Sequence, residues 1–595
     1  MRQEEEQEEE QEEEEEEEEQ VNPTEVKMSQ IVMPCHSNHR QELSVGQLLK
    51  WMDSTACLSA ERHAGCSCVT ASIDDIYFDQ TISVGQVVNI KAKVNRAFNT
   101  SMEVGIVVVC EDLFTDRRWR VCHAYATFVT QRTDSGTKVQ LRPLHPGSQR
   151  DQVEHSVAAE RRRMRMVHDD IIKDLLSQRT IQQAGGVVAA EKTRVESVEL
   201  VLPPHANHQV NTFGGQIMAW MVNVATIAAS RLCHAHPTLR SIDMFTFRGP
   251  SQVGDRLLLR AIVNNAFKTS MEVGVQAEAY RGGGPNRHIN SAFMTFEVLD
   301  AHGNPRTLPR IRPEPLHGER RFQEAIARKK IRLDRKYIIS CKQAEVPLSV
   351  PWNPSNQVYL SYNNVSALKM LAARNNWRLN SEEDQVCLYT LEQKGSLSFR
   401  VEAELEVPAQ RAFSLLGELR NRTCWDRHYL ECDLIRSADK DDFLYRVVAP
   451  SVDHTPGDSA NQDAGVLQDF ILLASRRRPC GPGDPYVVAL RSVSLPTHPS
   501  SPSPTHRRGE VLCAGFTILE TQENTSLISY YNQASPEVLP YISTDIAGLS
   551  SSFYRTFCSC RRYLTQNCLG PGDQDQVQDQ DQDQDSSSLH HVTLH

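Results

Sequence analysis

The sequence predicts an α+β protein in which one domain, a long helix wrapped by an antiparallel sheet, occurs twice and is followed by an unrelated domain. Residues 202–221, LPPHANHQVNTFGGQIMAWM, match residues 33–52, MPCHSNHRQELSVGQLLKWM, at eight of twenty positions. The offset is 169 residues, and VNNAFKTSMEVG at 263–274 matches VNRAFNTSMEVG at 94–105 with the same offset. A repeat of this length indicates one fold used twice.

Within each copy, an apolar helix that begins near glycine precedes several strands. The helix is predicted over about 46–62 in the first copy and over 214–233 in the second. Alternating apolar and polar residues, as in DRLLLRAIVNNAF and SMEVGVQAEAY of the second copy, predict strands. Because the helix is apolar around most of its circumference, it should be buried against the sheet.

Charged connectors and a third domain complete the chain. The first connector contains AAERRRMRMVHDDIIKDLL and is predicted to be helical, whereas the second is rich in Arg and Pro. The third domain has strand-like segments and closes with a helix, STDIAGLSSSFYRTFCSCRRYL. We divide the chain into an acidic disordered tail (1–22), a first repeated domain (23–135), a charged helical connector (136–191), a second repeated domain (192–304), a linker (305–336), a third domain (337–565) and a disordered tail (566–595).

Composition narrows the functional class. The net charge of −12 hides a mildly basic body, because residues 1–20 hold fourteen Glu and residues 573–585 hold six Asp. That body suits a phosphorylated small ligand but lacks the Lys and Arg clusters of a nucleic-acid binder. With no apolar run long enough for a membrane span and no Arg-rich leader, we expect a cytoplasmic protein.

No metal centre or disulfide framework is expected. The sixteen Cys are scattered without a paired C-x-x-C set, as in reduced cytosolic proteins. The H-x-x-H pairs in HSNH and HANH lack a third ligand nearby, so a role in structuring the loop is favoured over metal binding. The motifs of serine hydrolases, P-loop proteins and zincins do not occur in the sequence.

The differences between the copies point to a single catalytic site. The second copy has Asn211 where the first has Glu42, and the first has Asp53 where the second has Val222. A carboxylate within an apolar helix should be partly desolvated, which raises its pKa towards the range of a general base. If the copies pack about a pseudo-twofold axis, Asp53 and Asn211 form one complete pair, while Glu42 and Val222 form an inactive one.

The start of the second helix adds a polarising element. Asn211 precedes Gly214 and Gly215, where unsatisfied backbone N–H groups and the positive end of the helix dipole converge. Such an end can stabilise an oxyanion, and the glycines let a substrate approach the backbone. The alternative interpretation, that the glycines only allow close packing, explains the sequence nearly as well. The pattern favours acyl cleavage by water, with Asp53 activating the water and Asn211 orienting it or the substrate carbonyl.

These residues resemble a known family. HANHQVNTFGGQIMAWM, FRGPSQVGDR and NNAFKTSMEVG are similar to the hotdog domains of acyl-CoA thioesterases, and CWDRHY, DFILLASRRRP and the closing helix resemble a START lipid-binding domain. The resemblance implies a pseudo-dimer of two hotdog domains followed by a START helix-grip domain. It also implies that an Asn and an Asp from opposite copies hydrolyse fatty acyl-CoA to free acid and CoA, and these fall on Asn211 and Asp53.

The resemblance also implies CoA contacts, with CoA as part of the substrate and no further cofactor. Relatives usually have an acidic residue at the position of Val222, so its absence supports an inactive second half. A mitochondrial form is possible by resemblance, but the polyglutamate start is no transit peptide. The implied contacts are Ala71, Ser72 and Ile73, Thr100, Ser101 and Met102, Arg163, and Phe247, Arg248 and Gly249.

Several alternatives stay open. A START cup would hold a fatty acid or lysolipid and tune the thioesterase, with Arg476 to Arg478 as a possible head-group site, although a solvated basic turn is the better interpretation. The rivals are an acetyl-CoA-preferring hydrolase, which shares the catalytic residues, and a lipid-binding or lipid-transfer protein with a hotdog scaffold. Hotdog pairs commonly associate further, so a homo-oligomer is expected.

Overall fold

The computed structural model divides into two compact units, residues 1–332 and 333–595. It contains no helix that is long and apolar enough to cross a bilayer within its described part. The described residues are 22–78, 80–130, 139–177, 187–207, 210–300, 302–340, 351–354, 356–393, 396–450, 467–481, 483–495, 497–498, 506–533 and 546–568.

The first copy of the repeat has the predicted arrangement of one buried helix and an antiparallel sheet. Its helix ends at Gly65, whose left-handed φ of 64° suits a residue without a side chain. The elements of this copy and its connector are β1 (Val26–Ile31), α1 (Val45–Ala64), β2 (Cys68–Ile73), β3 (Ile76–Tyr77), β4 (Val87–Ala97), β5 (Ser101–Asp112), β6 (Arg117–Thr130) and α2 (Gln149–Ser177).

The second copy repeats this order. Its long helix begins at Gly214, as predicted, and ends at Cys233. The elements are β7 (Val188–Ala189), β8 (Val195–Leu200), α3 (Gly214–Cys233), β9 (Thr238–Ile242), β10 (Phe245–Thr246), β11 (Arg256–Ala266), β12 (Ser270–Tyr280), β13 (Arg287–Glu297), β14 (Ile311–Arg312) and α4 (His317–Ser340).

The two copies complete each other's sheets. The strand orders are β1-β4-β5-β6-β2-β10 and β3-β9-β13-β12-β11-β8, so each sheet of five strands carries a two-residue strand from the other copy. β10 pairs antiparallel with β2 through Phe245 and Ile73, and β3 pairs with β9 through Ile76 and Ile242. The hotdog pair is therefore one folded unit with a shared hydrophobic core.

The long helices α1 and α3 pack closely about a pseudo-twofold relation. A Cβ atom added to Gly46 would lie 3.1 Å from Ala219, and one added to Gly215 would lie 2.8 Å from the Cα of Lys50. Gly46 and Gly215 are equivalent positions, as are Lys50 and Ala219. Glycine is thus required on both helices because the backbones approach within the space of one methyl group.

The connector helix α2 and the helix α4 hold their sheets through the same ion pairs. Arg161 of α2 contacts the fully buried Glu103 at 2.6 Å, and Arg328 of α4 contacts Glu272 at 2.7 Å. Glu103 and Glu272 are equivalent positions of the repeat. The helix α4 lies in the segment predicted as an Arg- and Pro-rich linker. Each copy is therefore followed by a helix whose arginine forms an ion pair with a buried glutamate of the sheet.

The second unit contains one large antiparallel sheet with the helix-grip arrangement expected of a START domain. The final helix packs on the sheet in a cluster that includes Phe557, Cys560 and Leu564. The elements are α5 (Gln357–Ala372), β15 (Arg378–Glu383), β16 (Val386–Gln393), β17 (Ser396–Leu405), α6 (Ala409–Gly417), β18 (Glu431–Ser437), β19 (Asp442–Ala449), β20 (Leu467–Arg477), β21 (Tyr486–Ser492), β22 (His506–Arg508), β23 (Cys513–Gln522), β24 (Thr525–Gln533) and α7 (Ile546–Cys568).

Candidate active site

Asp53 lies at the contact between the two copies. The residue is 1% exposed on α1, and its carboxylate accepts two hydrogen bonds. The hydroxyl of Thr70 on β2 donates to Oδ1 at 2.7 Å, and the backbone N–H of Gly215 at the start of α3 donates to Oδ2 at 2.8 Å. The second copy therefore supplies part of the environment of a carboxylate that belongs to the first.

The electrostatics of Asp53 suit a general base. Burial raises the pKa of the Asp53 carboxyl above its ordinary value, and the hydrogen bonds from Thr70 and Gly215 partly oppose that rise. The positive end of the α3 dipole acts in the same direction as those hydrogen bonds, because it favours the ionised form. The result is a carboxylate that accepts a proton more readily than an exposed aspartate.

The two glycines at the start of α3 fit tightly around this carboxylate. A Cβ atom on Gly214 would lie 3.2 Å from the Thr70 side chain, and one on Gly215 would lie 2.9 Å from the Cβ of Asp53. We expected both glycines to serve an oxyanion, but the N–H of Gly215 already donates to Asp53. Gly215 therefore holds the base in this structure, and the Gly214 end of the helix faces the same centre.

Asn211 lies in the loop before α3. Its backbone forms an isolated bridge with Gln252, and its side-chain oxygen accepts a hydrogen bond from Gln252 Nε2 at 3.5 Å. Asn207 lies in the same loop, where its side-chain oxygen accepts from the N–H of Asn211 at 3.1 Å. The structure thus presents two asparagine amides in one loop, and His208 between them lies outside the described residues.

The corresponding half of the other copy has lost the polar groups. The repeat offset carries Asp53 to Val222 and Thr70 to Leu239, both of them buried. Gly46 keeps the close helix contact, but the residue before it is Val45 where the second copy has Gly214. This half therefore has neither a carboxylate nor a hydroxyl where the other half has both.

The predicted CoA-binding segments of the two copies meet at the strand exchange. The N–H of Phe247 donates to the carbonyl of Ala71 at 2.9 Å, and Ser72 pairs with Thr246. Arg248 is exposed beside this pairing, whereas the side chain of Ile73 is fully buried. Ala71, Ser72, Phe247 and Arg248 are thus brought together from both copies, while the side chain of Ile73 points into the core.

The other predicted CoA contacts lie at a hairpin beside α2. Ser101 begins β5 and Thr100 precedes it, while Met102 is fully buried in the core, so only its backbone could face a ligand. The guanidinium of Arg162 stacks over Phe98 of this hairpin at 4.5 Å. Arg163, the next residue of α2, is half-buried.

Comparisons with known proteins show the family of this chain. Residues 43–113 and 211–284 match the thioesterase superfamily, and residues 357–537 match the START domain. The chain is 63% identical over 553 residues to acyl-coenzyme A thioesterase 11 of Mus musculus, which covers 92% of this chain and 91% of that protein. The chain belongs to the acyl-CoA thioesterase family.

Two further comparisons cover different shares of this thioesterase. It is 47% identical over 554 residues to the acetyl-coenzyme A thioesterase of Mus musculus, which covers 91% of this chain and 97% of that protein. A solved apo-hexameric acyl-CoA thioesterase is 31% identical, covers 25% of this chain and 96% of its own, and has a TM-score of 0.24.

Thr70 is the site residue of the thioesterase that sequence reasoning missed. A signal was present, because Thr70 aligns with Leu239 and thus changes from polar to apolar together with Asp53 and Val222. No group of three or more His, Cys, Asp and Glu side chains in the described part of the chain could hold a metal ion. Asp53, Thr70 and the start of α3 can position a base and a water molecule beside a thioester carbonyl.

Proposed function

We propose that this thioesterase hydrolyses medium- and long-chain fatty acyl-CoA by direct attack of water, with Asp53 as the general base. The observation that carries the proposal is the buried Asp53 carboxylate, held by Thr70 of its own copy and by the Gly215 N–H of the other copy. Hydrogen bonds from both copies fix the position of this carboxylate, and a general base must be held in position to take a proton from water.

The proposed reaction balances without a covalent enzyme intermediate. Asp53 takes a proton from water as the water oxygen bonds to the thioester carbon. The oxygen that gains negative charge faces the start of α3, where the helix dipole and an asparagine amide stabilise it. The carbon–sulfur bond then breaks, the CoA thiolate takes the proton from Asp53, and the fatty acid leaves.

A substrate panel with matched variants tests this proposal. Hydrolysis rates are measured from acetyl- to palmitoyl-CoA for the wild type, Asp53→Asn, Asn211→Ala and Asn207→Ala. We expect Asp53→Asn to lose at least about 10²-fold in kcat, the usual scale of general-base catalysis. A wild-type rate in the Asp53 variant would refute the mechanism.

The same panel distinguishes the roles of Asn211 and Asn207. We predict that Asn211 orients the water or the carbonyl, which requires that Asn211→Ala lower kcat more than Asn207→Ala does. The reverse order would assign the role to Asn207, whose amide lies in the same loop. Because Asn211 contacts Gln252, the Gln252→Ala variant controls for loss of the loop bridge.

The length of the preferred acyl chain distinguishes the two enzyme hypotheses. We propose a preference for medium or long chains, and the alternative is an acetyl-CoA-preferring hydrolase, since the relative that is 47% identical is named acetyl-coenzyme A thioesterase. The ratio of kcat/KM for palmitoyl-CoA to that for acetyl-CoA decides between them.

We also propose that this thioesterase is cytoplasmic and forms a homo-oligomer.

For the START domain, we propose that the interior binds a fatty acid or lysolipid that tunes hydrolysis. The support is Arg422, which is 5% exposed and donates to Asp426 and to the hydroxyl of Tyr530, each at 2.8 Å. Its third nitrogen, Nη1, is buried without a hydrogen-bond partner in the described part of the chain, and so is the indole nitrogen of Trp425. Unpaired buried donors favour an acceptor on a ligand, such as a carboxylate or phosphate.

The aromatic surroundings of Arg422 support the same assignment. The guanidinium lies 5.8 Å from the ring of Phe516 and 5.1 Å from that of Tyr530, which belong to the cluster beneath α7. The predicted solvated turn at Arg476 to Arg478 was wrong, because Arg476 and Arg477 end β20 and Arg477 is buried. Both terminal nitrogens of Arg477 donate to protein acceptors, whereas Arg422 keeps Nη1 for a ligand, so Arg422 is the better head-group residue.

Lipid binding is tested with Arg422→Met in the full chain. We expect the variant to lose binding of oleate and the effect of oleate on hydrolysis, while its rate without lipid stays near that of the wild type. The exposed neighbour Arg427 provides the matched control, Arg427→Met. Equal binding in both variants would refute the role of Arg422. A wild-type chain that transfers lipid between vesicles but hydrolyses none of the acyl-CoA substrates would favour the non-enzymatic rival.

A further inference from the structure

The inactive half of the hotdog pair contains a cavity of about 430 Å³. Glu42, Val45 and Leu48 line it from the first copy, and Val222 and Leu239 line it from the second. By the repeat offset, these positions correspond to Asn211, Gly214, Ile217, Asp53 and Thr70. The cavity is therefore the pseudo-symmetric counterpart of the candidate active site, and its volume lies within the usual range for small-molecule sites.

The floor of the cavity is apolar. The side chains of Leu48, Phe78, Val222, Leu239 and Phe296 line it, and each of them is less than 9% exposed in the folded chain. Val222 and Leu239 replace the aspartate and threonine of the active half, so the floor offers neither a base nor a hydroxyl to a thioester. A surface of this kind favours a hydrocarbon chain, whose transfer from water contributes about 0.8 kcal/mol per buried CH₂ group.

The mouth of the cavity is polar and carries negative charge. Exposed side chains of Gln80, Thr81 and Asn223 surround it, together with the half-buried carboxylate of Glu42. Glu42 accepts a hydrogen bond from Asn38 Nδ2 at 3.2 Å, so the loop holds the carboxylate in place. A second carboxylate or a phosphate brought to this mouth would be repelled, whereas a hydroxyl or amide would find an acceptor.

The basic groups at the mouth do not offset this charge. The pKa of His236 is lowered by burial and then by its neighbours His39 and Arg40, so the ring is uncharged near neutral pH. Arg240 is paired with Glu297 at 2.9 Å. Arg40 does not line the cavity, and its guanidinium donates to the carbonyl of His236 at 3.2 Å. Of the charged side chains that line the cavity, Arg240 is paired and Glu42 contributes the negative charge that a ligand meets.

We propose that this cavity binds a neutral single-chain lipid, such as a medium-chain monoacylglycerol, with the chain on the Val222 and Leu239 floor and a hydroxyl donating to Glu42. The site does not depend on the catalytic assignment of Asp53. Because α1 and α3 line the cavity and also carry Asp53 and Gly215, its occupant contacts the helix pair that holds the catalytic carboxylate.

Photolabelling of the full chain tests the site separately from the START domain. The probe is monodecanoylglycerol with a diazirine near the end of its chain, and the labelled peptides are mapped by mass spectrometry. We expect labelling within residues 214–242, which contain α3 and β9, and competition by unlabelled monodecanoylglycerol. Labelling confined to residues 357–537 would overturn the proposal.

Two variants that fill the cavity and one control variant on the surface show where the label is attached. Val222→Trp fills the floor, and Thr226→Trp fills the rim at a half-buried position where folding is less at risk. Both should lose the label in residues 214–242 and keep any label in the START domain. The control Val198→Trp, on a 51% exposed side chain of β8, should keep both. Labelling that survives in Thr226→Trp with a wild-type melting temperature would overturn the proposal.

Competition with charged lipids tests the role of Glu42. In the wild type, decanoate should compete less well than monodecanoylglycerol, and in Glu42→Gln it should compete at least about tenfold better, equivalent to removing about 1.4 kcal/mol of repulsion. Equal competition by decanoate in the wild type would overturn the assignment of a neutral ligand. Stronger competition by decanoyl-CoA than by monodecanoylglycerol would make the cavity part of the substrate site and would also overturn it.

Discussion

The backbone N–H of Gly215 donates to the carboxylate of Asp53 at 2.8 Å, although the two residues belong to different copies of the repeat. A Cβ atom on Gly215 would lie 2.9 Å from the Cβ of Asp53 and 2.8 Å from the Cα of Lys50, closer than real contacts allow. The position that fixes the base is therefore also a position where the two long helices leave no room for a side chain.

Gly215→Ala should damage both stability and hydrolysis. The added methyl group must push α1 and α3 apart, because two of its nearest atoms belong to the backbone of Lys50 and Leu49. We expect a loss of about 1–3 kcal/mol in the free energy of unfolding and a large drop in kcat. Gly283→Ala is the control, since a Cβ there meets open space. Urea unfolding and steady-state kinetics provide the measurements, and a wild-type kcat in Gly215→Ala would contradict the role of this contact.

Thr70→Val should move the acid limb of the pH profile. The Thr70 hydrogen bond stabilises the ionised Asp53, so its removal raises the pKa of that carboxyl further. Because the base must be deprotonated, the acid limb of kcat/KM should shift to higher pH by about one to two units, as expected from loss of a hydrogen bond to a charged group. Thr70→Ser retains the hydroxyl and should keep the wild-type profile. A shift to lower pH in Thr70→Val would contradict this role.

Asp53→Asn should change how stability depends on pH. Burial raises the folded-state pKa of Asp53 above the ordinary 3.8, so the wild type binds this proton more tightly when folded than when unfolded. The stability of the wild type relative to Asp53→Asn should be greatest below pH 3.8 and should be lost as the pH rises through the folded-state pKa. Melting temperatures of both proteins across pH 3 to 8 measure this difference, and a difference that grows with pH would have the wrong sign.

Glu103→Gln should destabilise the hotdog pair. Burial alone would raise the pKa of Glu103, but Arg161 and Arg165 outweigh it and lower that pKa, so the carboxylate stays charged. Its neutralisation removes the buried carboxylate that Arg161 and Arg165 share and leaves Arg161 with Glu154 and Arg165 with Asp74, a change that costs about 3–5 kcal/mol. Glu272→Gln, at the equivalent position beside α4, should have a similar effect. Glu191→Gln breaks an exposed pair and should cost less than about 1 kcal/mol. Chemical denaturation of the three variants checks this order.

Much of the hotdog architecture could be predicted from the repeat. The expected helices at 46–62 and 214–233 correspond to α1 and α3 because their glycine starts and apolar faces are local features. The strand exchange could not be predicted, since β3 and β10 are two residues long and leave no periodic pattern. The helical character of 317–340 was hidden by the Arg and Pro content of the segment around it.

The candidate site could be predicted only where one residue type stood out against its counterpart in the other copy. Asp53 stood out because an acid on an apolar helix is costly to bury. Thr70 did not, because a threonine in a strand is ordinary and its contact with Asp53 depends on the register of β2 beside α1. Arg422 was equally hidden, since only the folded domain shows that its guanidinium is enclosed.

The strand exchange also has a consequence for synthesis on the ribosome. The first sheet is completed at β2 by Phe245 and Thr246, which are translated only after β8, α3 and β9 of the second copy. Until they emerge, the nascent chain presents an open strand edge beside Ile73, and open edges of this kind invite pairing with other chains. Translation speed across the second copy, and chaperones that shield nascent sheet edges, should therefore influence the yield of folded enzyme more than they would for two independently folding domains.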